Sequence, residues 1–300
     1  MRMNKVCSVA CLPFFTFAIA HPLFAMSHLQ ALIFDVDGTL ADTERDGHRV
    51  AFNRAFVDAG LDWHWTEARY GELLAIAGGK ERIQHYMQSD CPDFEPPEPL
   101  PAWAAALHRA KSQHFKRLLR EDLIQLRPGV KRLIEDAREQ GIRLAIATTS
   151  ALETVTALLE TALAPDSPTW FEVIAAGDMV PAKKPAPDIY HYVLRTMQLN
   201  PSDCLVLEDS YAGLQAARQA GLPTVITVNG YTRQQDFAGA LLVLSHLGEP
   251  ALPFEVITDD RVTATFFDLH LARDLHDRAR SNAQSDSPPS GLASGSNPVQ

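Results

Sequence analysis

Leu32-Ile33-Phe34-Asp35-Val36-Asp37-Gly38-Thr39 decides how this chain is read. An apolar run of this length reads as a buried strand, and side chains alternate along a strand, so Asp35 and Asp37 leave its end on the same side. Two carboxylates held together repel one another unless a divalent cation or a phosphoryl group shares their site. The pattern therefore asks for Mg²⁺ and a phosphorylated ligand. Asp35, still anchored on the strand, suits a nucleophile that attacks phosphorus and becomes an aspartyl-phosphate. Asp37, in the turn that Gly38 permits, suits a general acid that protonates the leaving group and then a general base toward water. The bland alternative is an Asp-Gly turn whose carboxylates cap the next helix.

Other strand ends carry matching chemistry. The strand Arg143 to Ala147 runs into Thr148-Thr149-Ser150, where a hydroxyl beside free backbone N–H groups can cradle phosphate. Thr148 takes that role, and Ser150 reads as the helix N-cap. Lys183-Lys184-Pro185-Ala186-Pro187-Asp188 forms a stiffened loop. One lysine aimed inward would neutralise Asp35 and the phosphoryl oxygens, and Lys184, next to Pro185, is the choice. Leu205-Val206-Leu207-Glu208-Asp209-Ser210 ends a further apolar strand in two acids, so Glu208 or Asp209 would complete an oxygen shell around Mg²⁺ with Asp35 and the backbone carbonyl of Asp37. The alternative for Asp209 or Ser210 is capping of the helix that starts near Gly213.

Between and beyond these ends the chain divides. Thr43 to Ala59 reads as a helix, and the stretch to about Leu126 stays helical apart from a Pro-rich connector over 92–101. From Arg127-Pro128-Gly129 the pattern becomes alternating helix and strand: helix Val130 to Gln140, helix Leu152 to Leu163, strand Phe171 to Ala175, helix Asp188 to Met197, strand Cys204 to Leu207, helix Gly213 to Ala220, strand Thr224 to Val228. Such alternation means an α/β fold with a parallel sheet covered on both faces, and ligands bind such sheets at the carboxyl ends of the strands. The expected division is a core over 27–42 and 127–278, a helical insertion over 43–126, and a disordered tail over 279–300, where large apolar residues are almost absent.

Composition bounds the partners. The 300 residues are 46% hydrophobic with a formal net charge of −10, which fits a globular chain with a small anionic ligand and excludes a nucleic-acid partner. Cys7, Cys11, Cys91 and Cys204 are too scattered for a zinc site or a disulfide framework. Arg2, Lys5 and the apolar run to Ala20 have the form of a secretory signal, whereas a start at Met26 gives a compact cytoplasmic domain beginning just ahead of the Asp35 strand. The second reading is preferred. The run is interrupted by Pro13 and too short for a permanent membrane anchor.

The ordered set Asp35-Val-Asp37-Gly-Thr, Thr148, Lys184 and Glu208-Asp209 resembles the four motifs of the haloacid dehalogenase-like hydrolase superfamily. The resemblance covers Leu29 to about Val228 and implies a Rossmannoid core with an inserted α-helical cap domain. Asp37 is the second acid that dehalogenases lack, so phosphatase or phosphomutase chemistry is implied. Asp42-Thr43-Glu44, Asp46-Gly47-His48-Arg49, Tyr70-Gly71-Glu72-Leu73-Leu74, Gly78-Gly79-Lys80-Glu81-Arg82 and Asn229-Gly230-Tyr231-Thr232 look like its CbbY branch. That branch is tied to carbon fixation, where members dephosphorylate xylulose-1,5-bisphosphate. The resemblance implies that Glu44, Tyr70, Lys80 and Arg82 contact the sugar and its distal phosphate, with His48 and Thr149 as further binding residues. Lys80 and Arg82 beside two glycines suit a second phosphate, Arg82 through its fork. Trp63 and Trp65 read as cap core. A monomeric enzyme is expected; the rivals are a β-phosphoglucomutase-like mutase and a non-catalytic phosphosugar-binding protein.

Overall fold

A computed structural model describes residues 29–285 apart from 77, 122 and 259–261. Seven strands form one sheet: β1 (Ala31–Phe34), β2 (Arg143–Ala147), β3 (Val173–Ala175), β4 (Cys204–Glu208), β5 (Thr224–Thr227), β6 (Leu242–Leu244) and β7 (Val256–Thr258), in the order β3-β2-β1-β4-β5-β6-β7. All pairs are parallel except β6 with β7. The alternation of β1 sorts its residues between two layers. Leu32 and Phe34 join Leu144, Ile146, Leu205 and Leu207 on one face, under helices α5 (Val130–Glu139), α6 (Leu152–Ala162) and α9 (Leu269–Ser285). Ala31 and Ile33 join Ala145, Ala147, Cys204 and Val206 on the other, under α7 (Asp188–Met197) and α8 (Tyr211–Gln219).

This two-faced cover is what the apolar, unbroken strands require. It also places β1 in the interior of the sheet, between β2 and β4, so that three strand ends meet where the order doubles back. The helical expectation for residues 43–126 corresponds to α1 (Arg49–Asp58), α2 (Glu67–Leu73), α3 (Gly79–Asp90) and α4 (Leu100–Arg120), with no strand among the described residues of that stretch. These helices bury their own aromatic cluster: Phe52, Phe56, Trp63, Trp65, Tyr70 and Trp103. Trp63 and Trp65 are interior, in keeping with their reading as cap core. Cys204 packs in the sheet, while Cys7, Cys11 and the segment ahead of residue 29 lie outside the described residues.

Three expectations are corrected. Thr43 to Ala59 is not one α-helix, because Thr43–His48 forms a wider π-helical turn before α1 begins. The sheet gains β6 and β7, whose three-residue lengths give too little alternation to read. The disordered tail expected from Ala279 is overturned over 279–285, where α9 continues to Ser285. Its apolar residues Leu269, Ala272 and Leu275 anchor it to the sheet layer, and the helix then runs on past the anchored part. Residues 286–300 lie outside the described residues. No helix among those described is long and apolar enough to cross a membrane.

Candidate active site

The centre of the sheet edge is a buried ionic knot. Lys184 Nζ donates to Asp35 Oδ1 at 2.7 Å, to Glu208 Oε1 at 2.6 Å and to the Ala147 carbonyl at 2.8 Å. Thr39 Oγ1 donates to the other Asp35 oxygen at 3.1 Å. Thus the ends of β1, β2 and β4 are tied by one ammonium. Burial alone would strip charge from Lys184, but Asp35 and Glu208 together outweigh it and hold its pKa above the usual lysine range. Burial, with Glu208 and Asp37 nearby, pushes Asp35 up to about 7 despite Lys184. Burial followed by Asp35 and Glu208 raises Asp209 well above the usual carboxylate range. One lysine does not balance three acids.

A hard cation fits that imbalance. Asp35, Glu208 and Asp209 each present an oxygen within 4.8 Å of the others, all three are buried, and no nitrogen or sulfur ligand joins them. Glu208 Oε1 already accepts from Lys184 and from Tyr190 Oη at 2.7 Å, which fills that atom. Asn229 Nδ2 donates to Asp209 Oδ2 at 2.7 Å and fixes that carboxylate. Ser210, not Asp209, caps α8 by accepting from the Gly213 N–H at 3.1 Å.

Two glycines make the knot possible. Gly38, at φ +89°, turns the chain after Asp37, and a methyl there would lie 2.3 Å from Asp209 Oδ2. A methyl on Gly213 would lie 1.9 Å from the Glu208 carboxyl carbon. Gly213→Ala favours the isolated helix by about 1 kcal/mol, yet must displace Glu208 and with it the contact to Lys184. We expect kcat/KM to fall roughly 100-fold, as when support of a metal site is lost, with secondary structure unchanged by circular dichroism; unchanged turnover would contradict the role given to Glu208.

Asp37 turns away from this knot toward the helical insertion. Its carboxylate accepts from Thr43 Oγ1 at 2.6 Å and Ser150 Oγ at 2.5 Å, and faces His48 Nε2 at 3.4 Å. Burial pushes its pKa up, but His48, Ser150 and Thr43 together hold it well below the usual range. The two acids of the opening stretch therefore occupy different environments, and the Asp37 side chain stands outside the three-acid cluster. Ser150 is corrected from helix cap to Asp37 partner. The cap position of α6 falls to Ala151, which makes no side-chain bond. Thr148 is buried, and its Oγ1 accepts from the Ser150 N–H at 3.1 Å, leaving its own proton to donate; Thr149 is exposed beside it.

A second polar chain lies in the helical unit. Lys111 Nζ bonds His48 Nδ1 at 2.8 Å. An ammonium can only donate, so Nδ1 accepts and the ring proton sits on Nε2, facing Asp37. Burial lowers the Lys111 pKa to about 8, with Glu44 and Asp37 opposing. Tyr70 Oη donates to Glu44 Oε2 at 2.5 Å and accepts from Arg82 Nη1 at 2.9 Å. Arg82 also donates to the Leu73 and Ile76 carbonyls, so it holds Tyr70 from inside the insertion and does not present its fork to the cleft. Lys80 is exposed on the first turn of α3 and joins neither network; its charge is felt by His108. A cleft between sheet and helices is lined by Gly38, Asp42, Glu44, Gly71, Asn229 and Tyr231. Sequence reasoning misses Thr39, Thr43, Lys111, Tyr190 and Asn229 as site residues. Thr39, Thr43 and Asn229 fall inside motifs quoted above, whereas Lys111, mid-way along α4, and Tyr190, in the first turn of α7, carry no local signal.

Residues 29–221 match the family model of haloacid dehalogenase-like hydrolases. The chain belongs to that family. The CbbY protein encoded on a plasmid of Cupriavidus necator is 48% identical over 225 residues, covering 75% of this chain and 88% of its own. Crystalline CbbY from Rhodobacter sphaeroides in complex with phosphate is 46% identical with a TM-score of 0.66, covering 73% of this chain and 94% of its own. An Asp-to-Asn variant of that protein, crystallised with xylulose-(1,5)-bisphosphate, is 45% identical with a TM-score of 0.66 over 74% and 98%. Within the haloacid dehalogenase-like family the chain falls in the CbbY branch, and it is an enzyme of the phosphatase type. The Rossmannoid sheet with helical cap is the fold of that branch.

Proposed function

We propose that this enzyme hydrolyses xylulose-1,5-bisphosphate, or a close sugar bisphosphate, to the monophosphate and inorganic phosphate. The observation that carries the reading is the separation of the two aspartates: Asp35 in the three-acid knot, Asp37 held by Ser150, Thr43 and His48. Asp35, steadied by Lys184 and Thr39, is the nucleophile. Asp37, held ionised by His48, Ser150 and Thr43 in the free enzyme, takes up a proton with the incoming substrate, delivers it to the departing sugar oxygen and recovers one from the water that cleaves the aspartyl-phosphate. Thr148 donates to the phosphoryl oxygens, and Lys184, whose three protons go to Asp35, Glu208 and the Ala147 carbonyl, offsets their negative charge. Mg²⁺, held by Asp35, Asp209, the remaining oxygen of Glu208 and the Asp37 carbonyl, would supply the positive charge that the three acids lack.

Glu44 lines the cleft as a sugar contact, with the buried Tyr70 bonded behind it, and Lys80 and His48 are the basic groups left for the distal phosphate and for Asp37. Arg82 acts on Tyr70. The substrate itself comes from the bisphosphate bound by the Rhodobacter sphaeroides relative. With Mg²⁺ present, pure protein is expected to release phosphate from xylulose-1,5-bisphosphate at least about 100-fold faster, in kcat/KM, than from hexose monophosphates, a preference of about 2.7 kcal/mol. Chelation should abolish it. Interconversion of hexose phosphates without net phosphate release would instead establish a mutase.

A further inference from the structure

The four-residue turn Asn229-Gly230-Tyr231-Thr232 follows β5, on the core side of the cleft, yet its two side chains reach in opposite directions. Asn229 Nδ2 holds Asp209 Oδ2, and the same side chain accepts the Tyr231 N–H at 2.8 Å through Oδ1. The Asn229 N–H donates to Thr232 Oγ1 at 3.0 Å, which closes the turn on itself. Tyr231 points the other way. Its ring packs on the cap's aromatic cluster, edge-on to Tyr70 at 6.0 Å between centroids, and it lies against Gly71 of α2. Every other residue of that cluster comes from Phe52 to Leu107. A core residue thus packs, partly buried, against the cap's apolar cluster, one hydrogen bond from the residue that orients a member of the acidic knot.

We propose that this turn couples the seating of the cap to the binding of the divalent cation: Tyr231 follows the cap, Asn229 follows Tyr231, and Asp209 is oriented only when both are in place. The inference rests on the cation site of the function proposed above. Both are positioning residues, since neither side chain reaches the Asp35 nucleophile. Two features give the coupling its force. The hydrogen bond between the Tyr231 N–H and Asn229 Oδ1 fixes which way the Asn229 amide faces, so a displaced Tyr231 backbone removes the partner that turns Nδ2 toward Asp209. Gly38 packs so closely on Asp209 and Asn229 that a methyl there would stand 2.5 Å from Asn229 Nδ2, leaving little room for an alternative arrangement.

The test is Mn²⁺ binding to the full chain without substrate, followed by electron paramagnetic resonance of the free ion. Asn229→Ala is expected to weaken binding about tenfold, as removal of support for a metal ligand does. Tyr231→Ala, which removes no bond to the acids, is expected to weaken it about threefold or more, whereas Tyr231→Phe, which keeps the ring, leaves it at the parental value. The double variant Asn229→Ala/Tyr231→Ala should bind no more weakly than Asn229→Ala alone, because both act through one path. Gly71→Ala offers a cap-side variant with a sound helix: its methyl would meet Tyr231 Cδ1 at 3.0 Å, and it too should weaken Mn²⁺ binding. Parental Mn²⁺ affinity in folded Tyr231→Ala and in Gly71→Ala, or additive losses in the double variant, would overturn the coupling. The function proposed above fails on a different readout, absence of phosphate release from the bisphosphate by the parent enzyme, and either result can occur without the other.

Discussion

Asp35→Asn is expected to stop turnover, lowering kcat by roughly 10⁴-fold or more, as loss of a covalent nucleophile does, while leaving a fold at least as stable as the parent's. The first half follows from geometry. Lys184 and Thr39 hold one oxygen each of Asp35, and an amide in that place can be bound but cannot attack phosphorus. The second half follows from charge. Asp35 is raised from the ordinary 3.8 to about 7, first by burial and then by Glu208 and Asp37. A carboxyl whose folded-state pKa is raised binds its proton more tightly folded than unfolded, so the metal-free protein loses stability as pH climbs through that interval. At pH 8 the ionised Asp35 is a cost, and the amide removes it. Melting of metal-free protein at pH 8 should therefore show the Asp35→Asn variant unfolding at or above the parental temperature, and Mg²⁺ should raise the midpoint less in the variant. Turnover within about tenfold of the parent, a change of only about 1.4 kcal/mol in the barrier, would remove Asp35 from the chemistry.

Arg127→Met should be the most damaging single change to the fold. The guanidinium is buried and serves the carbonyls of Gly38, Thr227, Val228 and Ser245, with Nε facing Asp42 at 3.4 Å. Methionine fills a similar volume but leaves those carbonyls without their donor and takes a cation from beside Asp42, which among the described residues keeps only Arg45 at 3.5 Å. Breaking a buried charged network in this way costs about 3–5 kcal/mol, which at 2–4 °C per kcal/mol corresponds to a fall of roughly 6–20 °C in Tm. Arg127→Lys should not rescue it, because one ammonium cannot replace a planar fork that reaches the ends of two strands and the nucleophile turn. Differential scanning calorimetry decides. A loss below about 1 kcal/mol, the range of an ordinary surface change, would mean that water replaces the guanidinium.

Both predictions concern the same small region, and they differ in how readable it is from sequence. Asp35, Asp37, Thr148, Glu208 and Asp209 lie at or just beyond strand ends, where local sequence alone reports an apolar run followed by chemistry, and the parallel order brings such ends together; Lys184 stands out by the Lys-Lys-Pro loop between β3 and α7. Arg127 lies in an Arg-Pro-Gly punctuation that the sequence does show, but its partners Gly38, Thr227 and Ser245 come from distant parts of the chain, and no local pattern announces a carbonyl cluster. The same holds for Lys111, which sits on the buried stripe of α4 and looks like an amphipathic stem until His48 is placed beside it. Ser150 reads as a cap because capping and side-chain pairing leave the same signature before a helix; Asp37, 113 residues away in sequence, competes for its hydroxyl. Arg82 reads as a phosphate ligand through the resemblance and its place beside two glycines, whereas Gly78 and Gly79 open α3 and the arginine donates to the Leu73 and Ile76 carbonyls.

The helical unit leaves and rejoins the sheet at neighbouring points. Ala41 bridges Leu126, and the Arg127 N–H donates to the Leu40 carbonyl at 2.8 Å. An insertion whose two ends are already side by side can lengthen, shorten or be exchanged at little cost in closure entropy, and every carboxylate of the knot is supplied from outside it. Lineages built on this plan can trade one cassette of helices for another and so acquire new preferences among phosphorylated metabolites, with the acidic knot inherited unaltered, provided each cassette gives Asp37 partners in the places of Thr43 and His48.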